Sequence, residues 1–285
     1  MPEDKVLSLG AFAARVRQIR EEWRVEEHEE LWFRGESRQH SSALQPKLYR
    51  PREGKDRKPI EELLEIENDL FEEFRRCGVQ LYDQKPEEAD RDWDWYFLMQ
   101  HHGAATRLLD WSDGALIALH FALRNKKEGD NQDAFVYVIE PDRLQGYLKA
   151  LQERKITRQQ WKAYARQDPF YKGREAEWEH AYLPGDKTDL IRVRMPKAPL
   201  LLEFPHITRR VAAQRSRFIV FGLEWNWLSE HSKRADSLVK IITIEANSVP
   251  AIKIELRDTG LTESVIFPDL DGLGREINQA WEDRK

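Results

Sequence analysis

Apolar residues Leu9, Phe12, Val16, Ile19 and Trp23 recur at alternating intervals of three and four, which sets them on one face of a helix, and Ser8 stands where a side-chain cap belongs. The run Leu31–Trp32–Phe33, closed by Arg34, predicts a short strand, and the polar span 36–58 with its prolines and glycines predicts a long loop. Pro59 at a first-turn position opens a second helix with Leu63, Leu70, Phe71 and Phe74 inward and Gly78 past its end. The polar stretch 84–95 leads into a third helix that runs to the His101–His102 pair, with Gly103 as its C-terminal cap. Residues 106–112 then read as an extended piece, and Ser112 or Asp113 caps a helix whose apolar positions go nearly all the way round, the mark of a core helix.

AFVYVIEP, residues 134–141, is a strand stopped by its proline. The span 142–188 is polar and helix-rich and reads as an insertion. Further strands are predicted at 191–195, 217–223 and 238–246, a helix or mixed segment at 248–256, and a closing helix over 268–281. Helices and strands mix without strict alternation, so the fold class is α+β, in one domain over 1–285 with its first helix inside 1–30.

Composition narrows the function classes. The 285 residues are 40% hydrophobic and 34% charged, with both signs interspersed and a net charge of −5, so the average charge does not point to nucleic acid. The apolar runs are too short to cross a bilayer, and the start MPEDKVLSLGAF does not read as a secretory signal. Cys77 is the single cysteine, which excludes an intrachain disulfide and a four-cysteine zinc site and fits a reducing cytoplasm.

The densest chemistry lies between Gln100 and Ser112, where His101, His102, Thr106, Arg107 and Asp110 run straight into the core helix. Unpaired burial of such groups costs about 1–3 kcal/mol each, so either they satisfy one another or they face a ligand at a helix N-terminus. Adjacent histidines on a helix point about 100° apart and cannot share one ion; no metal site is expected. Motifs of the GxSxG, GxxxxGK[ST] and GxGxxG types are absent from the expected contexts. Three weaker clusters remain: Arg209, Arg210, Gln214, Arg215 and Arg217 before a strand; the Glu175/Glu177 pair in the insertion; and Asp269/Asp271, whose carboxylates suit a divalent cation but read first as helix-capping turn residues.

Three pieces taken together, WFRG at 32–35, QHHGAATRLLDWSDGALIALHFA at 100–122 and FPDLDGL at 267–273, resemble the FRG domain family, whose name is the Phe33-Arg34-Gly35 motif; the resemblance spans roughly 30–275. A weaker similarity is to ADP-ribosyltransferases. It implies a split antiparallel or mixed sheet with flanking helices, and NAD as substrate. Catalytic roles would fall to Arg34, Thr106, Asp110 and Gln214, and cofactor contacts to Arg34, Gly35, His101, His102, Arg107, Trp111 and Ser112. In that similarity Gln214 stands where a glutamate is expected, so either Asp110 or the Glu175/Glu177 pair supplies the charge, or the enzyme is of a variant type, or the pocket only binds. The implied protein is a cytoplasmic toxin or phage-defence effector with a macromolecular acceptor, protein or RNA, and an antitoxin or regulatory partner. Two other readings stand beside it: a non-catalytic nucleotide- or RNA-binding module that uses the arginine cluster, and a hydrolase that uses His101 and Asp110.

Overall fold

The computed structural model describes residues 5–39, 42–52, 54–81, 91–127, 129–185, 193–202, 212–233 and 238–282. Helix α1 (Leu9–Trp23) starts at Ser8, whose side chain accepts from the Ala11 amide, and ends at Arg24 in a left-handed conformation. Strand β1 (Trp32–Glu36) and a 3-10 turn at Lys47–Tyr49 precede α2 (Ile60–Gly78). Pro59 is the N-cap of α2 and Gly78 its last residue, not a residue beyond it; a side chain at Gly78 would sit 2.8 Å from the Trp95 ring, so helix packing requires the glycine. Then come α3 (Arg91–His101), β2 (Leu108–Ser112), α4 (Ala115–Leu123) and β3 (Ala134–Ile139).

The helix-rich span after β3 holds α5 (Pro141–Lys149), α6 (Gln152–Gln167) and a 3-10 segment at Trp178–Tyr182. The strand expected at 191–195 has its first two residues outside the described ones, and Val193–Met195 form no strand; a strand appears instead at Leu200–Leu202 (β4). β5 (Ser216–Val220), α7 (Trp227–Ser232), β6 (Lys240–Ile244), α8 (Val249–Asp258), α9 (Glu263–Ile266) and α10 (Leu270–Glu282) complete the chain.

The strands form a six-stranded sheet in the order β4-β5-β2-β1-β3-β6, every strand pair antiparallel, with an isolated parallel bridge from Val6 to Ile244 at its edge. The α+β class holds. Side chains alternate across the sheet, and the two faces have separate cores. Trp32, Leu109, Trp111, Tyr137, Ile139 and Ile219 share one apolar cluster. On the other face Phe33, Val136 and Val138 pack with Leu119 and Ala122 of α4, while Leu108, Phe218 and Val220 pack with α3 and α6 residues such as Phe97 and Trp161. That face is therefore covered by two different helix sets, which meet at the β1–β2 joint.

Candidate functional site

At that joint the sheet comes apart. β1 and β3 pair through five residues, as do β2 and β5, but β1 and β2 share only the Phe33–Ser112 pair. A cavity of about 360 Å3 opens there, within the size range of small-molecule sites. Its wall includes Arg34, Glu36, Arg50, Gln100, His101, Asp110, Arg124 and Gln214, with Phe33, Phe121 and Phe218 as apolar surfaces.

Arg34 spans the opening. It donates from Nη1 to the Asp110 carbonyl oxygen (2.7 Å), from Nε to the Ala43 carbonyl (3.3 Å) and from Nη2 to Glu36 Oε1 (2.6 Å). The bond to Asp110 ties β2 to β1 where the backbone ladder stops, and the other two fix the guanidinium to the following loop and to β1 itself. Three of the five guanidinium N–H groups are used this way. Arg50 approaches the same Glu36 oxygen at 3.7 Å and donates to the Gln45 carbonyl (2.9 Å). Burial lowers the Arg50 pKa, and the Arg34 charge lowers it further against the pull of Glu36 and Asp110.

Gly35 is a glycine for a reason internal to the fold. A Cβ built on it would lie 1.9 Å from the Ala118 carbonyl oxygen and 2.6 Å from the Ala122 nitrogen, so α4 crosses the strand backbone in direct contact. The residue lines the cavity, but its missing side chain is accounted for by the helix.

Asp110 is exposed on β2 and its carboxylate is held from the side: Gln100 Nε2 donates to Oδ2 (2.9 Å), and the Gln100 side-chain oxygen accepts from the Thr106 hydroxyl. Thr106 is fully buried and supports Gln100 from behind instead of meeting the cavity. Ser112 lines the cavity, donating to the Gln214 carbonyl (2.7 Å) and accepting from the Gly114 amide (3.1 Å). It does not cap α4, and neither does Asp113: Gly114 is the N-cap, and the Asp113 carboxylate pairs with Arg215 and with Arg217 (2.6 Å). Gln214 reaches the Ile266 carbonyl (3.5 Å) with its amide.

Besides Thr106, two more residues expected at the site are elsewhere. Arg107 is wholly enclosed, paired with Glu67, and bonded to the Phe221 carbonyl (3.0 Å) and the Tyr182 carbonyl. Burial is the largest influence and opposes its charge, but Glu67 together with the Tyr96 and Tyr49 hydroxyls holds the guanidinium above its ordinary pKa. His102 is exposed and packs against Phe74; its neighbour His101 does line the cavity. Trp111 is buried and lines the cavity, and its indole N–H has no acceptor among the described residues. Glu175 and Glu177 lie off the cavity, and Glu177 pairs with Arg174 (2.7 Å). Of the arginine cluster, Arg209 and Arg210 lie outside the described residues. Arg217 pairs with Glu30 (3.2 Å) as well as Asp113, so the described members are neutralised internally. Asp269 caps α10, accepting from the Gly272 amide (2.7 Å). Among the described residues no group of three or more His, Cys, Asp or Glu side chains could hold a metal ion, and no helix is long and apolar enough to cross a membrane.

Sequence reasoning did not select Glu36, Arg50 or Arg124 for the site. Glu36 had a local signal, being next to the Phe-Arg-Gly triplet; Arg50 and Arg124 sit in a loop and at a helix end whose place at the cavity only the fold reveals.

Residues 29–131 match the FRG domain family model. The matched span supplies β1, β2, α2, α3 and α4, and with them most of the cavity wall. The FPDLDGL segment at 267–273 lies outside it. No curated protein and no solved structure matches the chain.

Proposed function

We propose, from the match of residues 29–131 to the FRG domain family model, that the cavity at the β1–β2 joint takes NAD and that the protein is an ADP-ribosyltransferase-like enzyme, a toxin or phage-defence effector acting on a macromolecular acceptor. One observation carries this reading: a carboxylate, Asp110, is fixed in the wall of an arginine-lined cavity by the Thr106–Gln100 relay. Arg34, Arg50 and Arg124 offer guanidinium donors suited to phosphate oxygens. In the reaction the nicotinamide–ribose bond breaks, nicotinamide leaves with the bonding electron pair, and an acceptor nucleophile attacks the ribosyl carbon and gives up its proton. A fixed carboxylate stabilises the positive charge that builds on the ribose. Gln214 carries no charge, and Asp110 takes that role. Glu36, the other carboxylate on the described cavity wall, is committed to Arg34 and Arg50.

The neutral Gln214 side chain also supports a second reading, a nucleotide-binding module without transfer. One experiment separates the two. Incubation with labelled NAD should release nicotinamide, and Asp110→Asn should slow release by about 10²–10³-fold while NAD still protects the protein against heat. NAD binding without release by the wild type would favour the binding module; neither binding nor release would remove the NAD reading altogether.

A further inference from the structure

The chain beside the cavity is charged unlike the rest of the molecule. Residues 36–58, from the last residue of β1 to the approach to α2, carry seven Lys and Arg against three Asp and Glu, in a chain whose net charge is −5. Little of this positive charge is neutralised. Among the described residues, Arg50 and Lys58 are the only two of the seven with a carboxylate within 4 Å: Arg50 lies 3.7 Å from the Glu36 oxygen that Arg34 also holds, and Lys58 pairs with Glu62. Arg52 and Lys55 stand exposed at the two ends of a turn, closed by the Lys55 amide on the Arg52 carbonyl (3.0 Å) with Gly54 at φ 71°. Lys47 donates to the Gly103 carbonyl, two residues past His101 of the cavity wall. The described arginines of the 209–217 cluster, by contrast, are paired with acids.

The cations continue into the cavity. Gln45 joins two of them: Arg50, in the wall, donates from Nε to its main-chain carbonyl (2.9 Å), and Arg57 donates from Nη2 to its side-chain oxygen (2.9 Å). Arg57 Nε also donates to the Tyr49 carbonyl (2.7 Å), and its guanidinium carbon lies 3.3 Å from the centre of the Trp225 ring. At that separation the two planes must be stacked, so a half-buried guanidinium is held flat against the indole. We propose that this span binds a single-stranded nucleic acid, with phosphates on Lys47, Arg52 and Lys55, an unpaired base on the Arg57–Trp225 stack, and the strand leading to the cavity at Arg50. Uncompensated Lys and Arg suit phosphate oxygens, and a guanidinium plane suits an unpaired base. An acidic peptide would use the charge, but its carboxylates have no use for the plane; a duplex keeps its bases turned inward. This goes beyond the NAD reading, which names no class of acceptor, and it stands or falls without NAD.

Four such contacts, at about 0.7 each for a single strand, predict that log K falls with log[salt] at a slope of about −2.8, with a Kd of about 1–100 µM at physiological salt. The test is fluorescence anisotropy of a labelled strand of roughly 20 nucleotides, as RNA and as DNA, titrated with the full chain in the absence of NAD between about 50 and 200 mM KCl. Arg52→Glu/Lys55→Glu removes two phosphate contacts from an exposed turn, and Arg57→Lys keeps the charge but loses the plane. Lys162→Glu/Lys172→Glu makes the same change in net charge at exposed positions in and after α6. The expected result is binding of RNA, DNA or both, the preference naming the natural strand. Binding should weaken at least about tenfold in the turn variant, with a slope near about −1.4, and about fivefold or more in Arg57→Lys. The α6 control should bind as the wild type does, and circular dichroism should be unchanged throughout. No binding of either strand, equal binding of a duplex or of labelled polyglutamate, or an equal loss in the control would overturn the proposal.

Discussion

Replacing Gly35 by alanine distinguishes two explanations of the Phe-Arg-Gly motif. The backbone there needs no glycine for its own sake, since Gly35 is not among the positive-φ residues. What an added methyl meets is the backbone of α4: 1.9 Å to the Ala118 carbonyl oxygen and 2.6 Å to the Ala122 nitrogen. To restore ordinary contact at about 3.4 Å, α4 must retreat from β1 by about 1.5 Å. A helix that packs Leu119, Ala122 and Leu123 into the core cannot retreat without opening space elsewhere. Overpacking costs about 1–3 kcal/mol when side chains can give way; here the obstacle is backbone, so the upper end, about 3 kcal/mol, applies. That is a large part of a total stability of about 5–15 kcal/mol, and at about 2–4 °C per kcal/mol it lowers Tm by roughly 6–12 °C. Thermal unfolding without ligand, followed by the fluorescence of the ten tryptophans, measures it directly. A Gly35→Ala protein with wild-type Tm that no longer binds its ligand would refute the packing argument and return the glycine to the ligand.

Two further outcomes follow from buried charges. Glu67→Gln or Arg107→Met alone should destabilise by about 3–5 kcal/mol, because either leaves a charge unpaired in the core; the double variant should cost less than the two singles summed, and urea midpoints of the four proteins read the cycle. The His120 pKa is lowered from 6.5, by burial first, with Arg124 and Lys253 adding to the effect and Glu263 opposing it. The unfolded chain therefore binds the proton more readily. This histidine's contribution is intact above about pH 6.5 and is lost as pH falls through the folded value. His120→Gln should flatten the fall in stability below pH 6.5, and an unchanged slope would show that other groups carry it.

Much of the fold was legible along the chain. The three-and-four spacing of Leu9 to Trp23, the all-round apolar character of Ala115–Leu123 and the strand runs at 134–139 and 240–244 are local patterns, and each became the element it predicts. Segment 248–256, read as helix or mixed, became helix α8 with Pro250 in its first turn, where a missing N–H costs nothing. The site was legible only in part. Arg34, His101, Asp110, Trp111, Ser112 and Gln214 do meet at one cavity, but Arg107 is drawn under the sheet by Glu67, forty residues earlier, and Gly35 answers to α4, more than eighty residues later. Periodicity and capping depend on neighbours a few positions apart, so the sequence alone determined which segments coil and which extend. Where β1 and β2 part, which carboxylate stands in the gap and which arginine is sealed in the core depend on groups far apart in the chain competing for the same space and charge, and only the tertiary structure decided them.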